Sequence, residues 1–371
     1  MKVTKLYQLI NSLHTAVPRR LFPGGYALPP LRVGCVLTHR CNLKCAMCFV
    51  WKHGSNELSQ KELTTDEWKS VFDQIPSQAI ITMTGGEPLV RSDFSELLKY
   101  ACRHHRVHLV SNGTLFTDEL AKLCVDLAPK SMFSKGLVSL GVSLEGPETI
   151  HDAMVQIPGS YARTTKLLQN VATMKKNAGK RYPLLDLKIV ICRETLSSLP
   201  QLYSLANDLE LDIISYQQCT TQESSYGIDD APKNAIAVPP ADIEPIPREE
   251  LIPVLKKLVQ MSEHRKTVLR FNPDMDLELF ADRYENRFPL HLFTCAAAWS
   301  VMHIGPYGTV FPCFSISMGN VRSTPLTKIW NGPEYKKFRQ KLRKAGIFDG
   351  CTGCCVMKPD AQKIKTARDS Q

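Results

Sequence analysis

The chain has 371 residues, of which 43% are hydrophobic and 22% are charged, so it can bury a large core and is not disordered as a whole. Its formal net charge is +10. The basic run at residues 334–344 (EYKKFRQKLRK) nevertheless has the pattern of a solvated helix face, without the interleaved aromatic residues of single-strand binders, so we do not expect a nucleic-acid partner. Thirteen cysteines, no apolar run long enough for an integral membrane segment and no export-signal pattern together predict a cytoplasmic protein.

Residues 1–30 predict an N-terminal helical arm. At helical spacing its apolar positions fall on one face, formed by Val3, Leu6, Ile10, Leu13 and Val17. We expect this face to dock onto the body of the protein, with peripheral attachment to a membrane surface as the alternative.

Residues 31–221 alternate between short apolar or β-branched segments and amphipathic segments. The apolar segments predict strands at residues 31–38, 79–84, 106–111, 137–144, 184–192 and 211–217. Thr64 or Thr65, and later Thr117, have the character of N-caps for helices between them. The fold class is therefore α/β, with a partial (β/α)6 barrel of parallel strands whose chemistry gathers at their carboxyl ends.

The rest of the chain predicts three further segments. Residues 222–247 are rich in proline and lack periodicity, which indicates a loop or lid. Residues 248–294 predict a connecting helix and strand, and residues 295–371 a small α+β, cysteine-rich domain with a basic tail.

Cys41, Cys45 and Cys48 follow the first predicted strand with CxxxCxxC spacing and no fourth cysteine nearby. A structural zinc site closes with four ligands. Three thiolates suit a 4Fe-4S cluster that keeps one iron open for a chelating small molecule.

The second predicted strand runs directly into a turn in which two glycines allow a ligand to approach the backbone, formed by Gly85, Gly86, Glu87 and Pro88. Together with the cysteine triad, this turn resembles the radical S-adenosylmethionine (SAM) superfamily. The resemblance implies that the amino and carboxylate groups of SAM chelate the open iron, and that the turn accepts hydrogen bonds from the amino group.

The resemblance also assigns contacts with the ribose, carboxylate and adenine of SAM to Ser111, Asn112, Ser143, Glu145, Arg163 and Gln217. Among these, Arg163 would bind the carboxylate and Gln217 would approach the adenine. The implied chemistry is reductive cleavage of SAM to a 5'-deoxyadenosyl radical that takes a hydrogen atom from a substrate. It requires an electron donor such as a flavodoxin or ferredoxin, and residues 222–247 would cover the site.

A second cysteine group has the spacing C-x12-G-x4-C, followed by CTGCC at residues 351–355. It resembles the SPASM or twitch extension of radical SAM enzymes, with one auxiliary 4Fe-4S cluster on Cys295, Cys313, Cys351 and Cys354 as an electron relay. A further cysteine that a full SPASM pattern requires is replaced by Asp360, and Cys355 is left over. Zinc remains the alternative for four cysteines.

Among the other cysteines, Cys219 lies just past the sixth strand and is a candidate hydrogen donor to a substrate radical. We expect buried apolar positions for Cys35, Cys102, Cys124 and Cys192. The sequence thus predicts a radical SAM enzyme acting on an unidentified sugar or aminocyclitol, lipid or peptide, and its basic balance favours an anionic substrate. The alternative is a zinc- or iron-sulfur-binding regulatory or electron-transfer protein without SAM cleavage.

Overall fold

A computed structural model describes residues 2–48, 61–219, 244–285, 289–313, 316–348, 351, 354, 356–360 and 362–364. Of the predicted lid at residues 222–247, only residues 244–247 are among those described. Cys355 also lies outside the described residues.

Eleven strands are present in the described residues: β1 (Arg32–Val36), β2 (Ile80–Thr84), β3 (Arg106–Ser111), β4 (Gly136–Ser143), β5 (Leu184–Ile191), β6 (Ile213–Gln218), β7 (Val268–Asn272), β8 (Phe293–Thr294), β9 (Val301–Ile304), β10 (Val310–Phe311) and β11 (Lys358–Pro359). The helices described alongside them are α1 (Lys2–Leu21), α2 (Thr65–Gln74), α3 (Phe94–His104), α4 (Asp118–Asp126), α5 (Glu148–Val155), α6 (Ser160–Asn177), α7 (Leu199–Asp208), α8 (Arg248–Ser262), α9 (Leu277–Asp282), α10 (Leu326–Trp330) and α11 (Pro333–Ala345).

The main sheet has nine strands in the order β10-β9-β1-β2-β3-β4-β5-β6-β7, and β8 pairs separately with β11. Strands β1 to β7 lie side by side in chain order, and each pairs in parallel with its neighbour. This arrangement confirms the partial barrel of parallel strands. Because parallel strands end at the same edge of a sheet, the loops after β1 to β6 gather there.

The two predicted helix caps are present. Thr64 forms a capping box with Glu67 at the start of α2. Thr117 caps α4, because its hydroxyl accepts a hydrogen bond from the backbone N–H of Leu120 at 3.2 Å. The first cap sets the start of α2, which leads into β2, and the second sets the start of α4, which follows β3.

The sheet is longer than the six predicted strands. β7 pairs in parallel with β6, and β9 pairs in parallel with β1, so both edges of the six-stranded core gain a strand. β9 belongs to the cysteine-rich region that we expected to form a domain of its own. Pairing with it satisfies the backbone groups of β1 that would otherwise form an open edge.

The N-terminal arm is helical, but the expected docking of its apolar face is wrong. Ile10, Leu13 and Val17 are exposed, whereas Thr15 and Pro18 on another side of α1 are buried. The helix is amphipathic as predicted, and it contacts the body through its more polar side.

The basic segment of residues 334–344 forms α11, whose exposed lysines confirm the solvated face. One arginine is an exception, because Arg339 is fully buried and its guanidinium packs against the rings of Trp330 and Tyr335, at 4.2 and 4.7 Å from their centroids. Its guanidinium donates hydrogen bonds to the carbonyls of Ala298 at 2.7 Å and Gly25 at 3.2 Å. Arg339 therefore fastens the arm to the C-terminal region.

A membrane span is not found among the helices of the described ranges, since none of them is both long and apolar enough.

Candidate functional site

The three predicted cluster cysteines lie together in the loop after β1. The backbone N–H of Cys48 donates to the Cys45 carbonyl at 3.0 Å, and Ala46 N–H donates to the carbonyl of Met154 in α5 at 2.8 Å. Burial raises the pKa of the Cys41 thiol to about 11, and negative charge on Cys48 contributes to this rise. Burial likewise raises the pKa of Cys45, with contributions from the other two thiols. A metal group must displace these thiol protons when it binds.

The Gly85–Pro88 turn packs backbone against backbone on the start of this loop. Gly86 N–H donates to the Thr38 carbonyl at 2.8 Å, and Glu87 N–H donates to the Arg40 carbonyl at 2.9 Å. A Cβ atom at Gly85 would lie 2.4 Å from the Thr38 oxygen, and one at Gly86 would lie 2.4 Å from the Arg40 oxygen. Only glycine allows this approach, so the turn is built to stand beside the cysteines.

The Glu87 carboxylate faces into the protein. It accepts hydrogen bonds from the backbone N–H of Leu89 at 3.1 Å and of Asn112 at 2.7 Å, and from the Ser111 hydroxyl at 2.9 Å. Burial raises the pKa of Glu87 to about 7, and these three donors oppose the rise. Glu87 thus ties the end of β2 to the end of β3, and the groups that the turn leaves for a ligand are its backbone carbonyls.

Asn112, predicted to contact SAM, points at the cysteine loop. Its side-chain amide lies 4.0 Å from Cys41 Sγ and donates to Asn42 Oδ1 at 3.0 Å. The Asn42 amide in turn donates to the Thr114 hydroxyl at 2.9 Å. Sequence reasoning missed Asn42, although its place beside Cys41 was the available signal.

Glu145 lies on the other side of the loop. Its side chain accepts a hydrogen bond from Val190 N–H at 2.8 Å, and burial raises its pKa to about 8. Its charge contributes to the raised pKa of Cys45. Its own N–H donates to His151 Nδ1 at 3.0 Å, so the other ring nitrogen of His151 carries the proton of the neutral ring. His151 is buried, which lowers its pKa to about 4, and no sequence pattern predicted its position.

The other predicted SAM contacts are placed less closely. Ser143 ends β4 opposite Lys188, and Gln217 on β6 pairs with Val190 and Asn272. Arg163 is exposed, and its guanidinium lies 3.5 Å from the Pro158 carbonyl. Within the described ranges, no hydrogen bond joins Arg163 to another predicted site residue.

The four predicted auxiliary cysteines all lie in the C-terminal region. Burial raises the pKa of Cys295 to about 12, and charges on Cys354, Cys351 and Cys313 add to the rise. Backbone bonds hold them, because Cys295 N–H donates to the Gly346 carbonyl at 3.0 Å and Cys354 N–H donates to the Cys351 carbonyl at 3.0 Å.

Cys219 is buried just past β6, near Tyr284, whose hydroxyl donates to the Ile191 carbonyl at 3.0 Å. The neighbouring Arg283 donates to the Cys354 carbonyl at 3.0 Å, so this segment joins the barrel rim to the auxiliary cysteines. The four cysteines expected in apolar positions are buried, as predicted: Cys35, Cys102, Cys124 and Cys192.

The inner face of the sheet is polar, which the sequence reading did not anticipate. Leu185 and Leu187 of β5 pack into the core, so Asp186 and Lys188 face the opposite side. The Lys188 ammonium donates to Asp186 Oδ2 at 2.8 Å. Ser215 of β6 donates to Asp186 Oδ1 at 2.7 Å. The two charged residues in the apolar run LLDLKIVI, two positions apart, could have predicted that one face of β5 is polar.

His108 of β3 completes this inner layer. A Cβ atom at Gly141 would lie 2.3 Å from Lys188 Cε and 3.3 Å from His108 Nε2, so the two side chains converge over that glycine. Burial lowers the pKa of His108 to about 3, and the charge of Lys188 adds to the effect. Within the described ranges His108 Nε2 has no hydrogen-bond partner.

Two family models match the chain. The radical SAM superfamily model covers residues 35–205, and the SPASM model, an iron-sulfur cluster-binding domain, covers residues 295–355. The chain therefore contains a radical SAM domain followed by a SPASM domain. Its cofactors are accordingly a 4Fe-4S cluster, SAM and auxiliary iron-sulfur chemistry in the SPASM region. In ligand type, the three cysteines after β1 and the glycine turn packed on their loop fit the SAM-binding cluster, and Cys295, Cys313, Cys351 and Cys354 fit an auxiliary one. In the described part of the chain, no three potential ligands among the cysteine, histidine, aspartate and glutamate side chains stand close enough together to form a metal site.

Several curated proteins resemble the chain over most of its length. An AdoMet-dependent heme synthase from Methanosarcina barkeri is 27% identical over 89% of this chain and 89% of its own. The antilisterial bacteriocin subtilosin biosynthesis protein AlbA from Bacillus subtilis is 24% identical over 89% of this chain and 68% of its own.

Solved structures share the fold at low identity. SuiB from Streptococcus suis bound to S-adenosylmethionine has a TM-score of 0.63 at 15% identity, covering 88% of this chain and 71% of its own. The protein anSMEcpe with bound AdoMet and the Cp18Cys peptide has a TM-score of 0.57 at 16% identity, covering 88% of this chain and 86% of its own.

Proposed function

We propose that this protein cleaves SAM reductively and uses the resulting radical to remove a hydrogen atom from a substrate that carries an anionic group. The observation that carries the proposal is the close backbone packing of the Gly85–Pro88 turn on the three-cysteine loop. A cluster held by Cys41, Cys45 and Cys48 would supply the one electron needed for reductive cleavage of SAM to methionine and a 5'-deoxyadenosyl radical.

The protein residues bind and orient these groups. We assign three irons to Cys41, Cys45 and Cys48, which leaves the fourth iron for SAM. We assign the amino group of SAM to the carbonyls of the Gly85–Pro88 turn, because the Glu87 carboxylate is occupied by protein donors. The rest of SAM would contact Ser111, Asn112, Ser143, Glu145, Arg163 and Gln217.

The polar inner face of the sheet supports an anionic substrate. Lys188 projects there, and Arg270 on β7 lies on the same face, opposite Ser215 in register. Asp186 offsets Lys188, so Arg270, together with Arg32 on β1, supplies the remaining positive charge on this face. A carboxylate or phosphate of the substrate would pair with it. Relatives named for heme synthesis and for bacteriocin biosynthesis leave both a tetrapyrrole and a peptide as carriers of that group.

We assign one auxiliary 4Fe-4S cluster to Cys295, Cys313, Cys351 and Cys354. Four thiolates leave no iron open, so this cluster would relay electrons between the substrate site and a donor such as a flavodoxin or ferredoxin. Cys219 is buried near the rim of the barrel, where we assign it the role of hydrogen donor to a substrate radical.

The test is anaerobic reconstitution with iron and sulfide, followed by reduction with dithionite in the presence of SAM. We expect about eight irons per chain, formation of 5'-deoxyadenosine and a change in the electron paramagnetic resonance spectrum when SAM is added. Cys41→Ala should lose the nucleoside product, and Cys102→Ala, a buried core cysteine, should retain it. Zinc in place of iron, or iron with no spectral response to SAM, would refute the proposal.

A further inference from the structure

The N-terminal arm presents an apolar stripe to the outside of the protein. The exposed fraction is 46% for Ile10, 55% for Leu13, 41% for Val17 and 68% for Leu21. At about 3.6 residues per turn, these four positions fall within roughly 80° of one helix face. Such a continuous exposed stripe marks an interaction surface, whereas isolated exposed apolar residues need no explanation.

The stripe is exposed because the opposite side of α1 holds the helix to the body. Arg19 donates to the Thr294 hydroxyl at 3.0 Å, and its guanidinium lies 5.8 Å from the ring of Trp299. His14, which lies beside Leu21 at the flank of the stripe, has its Nε2 atom 2.8 Å from the Pro29 carbonyl oxygen. A helix that is fixed in this way cannot turn its apolar side inward. The stripe is therefore a permanent outer face of the fold.

An aromatic pair extends the stripe past the end of the helix. Phe22 and Tyr26 are both exposed, and their rings meet edge to face with centroids 5.6 Å apart. The loop that carries them is anchored, because Arg339 donates to the Gly25 carbonyl at 3.2 Å. Aromatic side chains beside an apolar helix face are typical of helices that lie in a membrane interface.

The charges near the apolar stripe of α1 indicate which kind of partner binds it. Residues 1–56 contain several lysines and arginines and no aspartate or glutamate. Arg19 and Arg20 occupy the last turn of α1, and Arg20 is exposed beside the stripe. A second copy of the chain, docked stripe to stripe, would bring two basic helices together without acidic partners. An anionic lipid surface complements both the charge and the apolar side chains.

We propose that α1, with Phe22 and Tyr26, docks this protein on an anionic membrane surface, with the apolar stripe among the acyl chains and Arg20 at the phosphate groups. The attachment is peripheral and leaves the cysteine sites in the body of the protein. It rests on the arm alone and holds whether or not the proposed SAM chemistry is correct.

The experiment is flotation of the full-length, reconstituted protein with vesicles of phosphatidylcholine, with or without phosphatidylglycerol. We expect binding to the anionic vesicles that weakens as salt is added, and little binding to phosphatidylcholine alone. The double variant Leu13→Asn/Leu21→Asn should lower the affinity at least about tenfold, because it removes two large apolar groups from the interface.

The matched control is Phe133→Asn. Phe133 is 70% exposed in the loop before β4, so the variant removes an equally accessible apolar side chain away from the arm and should bind like the wild type. Circular dichroism and iron content verify that each variant is folded and loaded. The proposal is overturned if the wild type ignores anionic vesicles, or if L13N/L21N binds them equally well. It is also overturned if, without lipid, that variant converts a dimer into a monomer in sedimentation velocity, since the occupant would then be a second copy.

Discussion

The two cysteine groups of this protein have opposite electrostatic surroundings. Beside the loop after β1 lie two buried carboxyl groups, and their negative charge contributes to the raised pKa of Cys41 and Cys45. Beside the auxiliary group lies the guanidinium of Arg283, whose positive charge works to lower the pKa of Cys354 against the larger effect of burial. One group is placed among acids, and the other beside a base.

This difference matches what each group would hold. SAM brings a positive sulfonium next to the first cluster. The buried carboxyl groups of Glu87 and Glu145 have raised pKa values without a ligand, and a cation beside them would favour their ionised forms. A cubane with four thiolates carries net negative charge, which a nearby guanidinium stabilises. The surroundings therefore differ in the way expected if the first site receives a cationic ligand and the second holds a closed cluster, as we propose.

Removing one thiol from each cysteine group should give the largest difference in 5'-deoxyadenosine formation between the two sites. Cys45→Ala removes a ligand of the SAM-binding cluster and should reduce formation of 5'-deoxyadenosine at least about a thousandfold, because no electron reaches SAM. Cys351→Ala should lower the iron content by about half yet keep nucleoside formation within about threefold of the wild type. Iron analysis and chromatography of the nucleoside measure both outcomes. If C351A also abolished SAM cleavage, the two sites would not be functionally separate.

The glycine turn belongs to the first site alone. A substitution there should impair SAM binding without affecting the auxiliary cysteines, and its effect should be smaller than that of removing a thiol. In Gly86→Ala, the added Cβ would lie 2.4 Å from the Arg40 oxygen and 2.7 Å from the His39 oxygen, so the backbone must shift. We expect SAM binding to weaken about a hundredfold and the protein to lose about 2 kcal/mol of stability, while the auxiliary iron remains.

Gly24→Ala is the matched control for that variant. A Cβ atom at Gly24 meets nothing within 4 Å, so the substitution should change neither SAM binding nor unfolding. Equilibrium dialysis with labelled SAM and thermal unfolding measure the two effects. Wild-type affinity in G86A would show that the turn does not contact the ligand.

The sequence predicted the central architecture well because its signals are local. Alternation of apolar strands with capped helices, as at Thr64 and Thr117, depends on residues close together in the chain. The pairing of β9 with β1 joins residues far apart in sequence, and no periodicity predicts it. The outward stripe of α1 could not be predicted either, since the amphipathic pattern shows which face is apolar and not which partner covers it.

The site shows the same division. The spacing of Cys41, Cys45 and Cys48 predicted a cluster with an open iron, because metal chemistry restricts the ligand set, whereas the roles of the glycine turn and of the auxiliary cysteines were predicted from resemblance to the family. His151 and the pair formed by Asp186 and Lys188 depend on which strands lie next to each other. Arg163 was inferred from resemblance to the family, and its exposed position leaves that role a prediction.

The acidic surroundings of the first site predict a pH dependence of stability. Burial raises the pKa of Glu145 to about 8, so the folded protein holds a proton that the unfolded chain releases at lower pH. The resulting stability is fully present below the unfolded pKa and is lost as pH rises through the folded value. Chelator-treated wild type should therefore lose stability between about pH 5 and pH 8, with about 3 to 4 kcal/mol attributable to Glu145.

Glu145→Gln isolates this contribution, because the amide oxygen can still accept the Val190 N–H bond but does not titrate. Urea unfolding of the chelator-treated variant should match the wild type near pH 5 and exceed its stability near pH 8. Glu263→Gln, an exposed acid at the end of α8, should follow the wild-type curve. Parallel curves for E145Q and wild type would mean that Glu145 is ionised in the folded protein at no cost. The Glu145 carboxyl group beside the first site would then be negatively charged even without a bound cation.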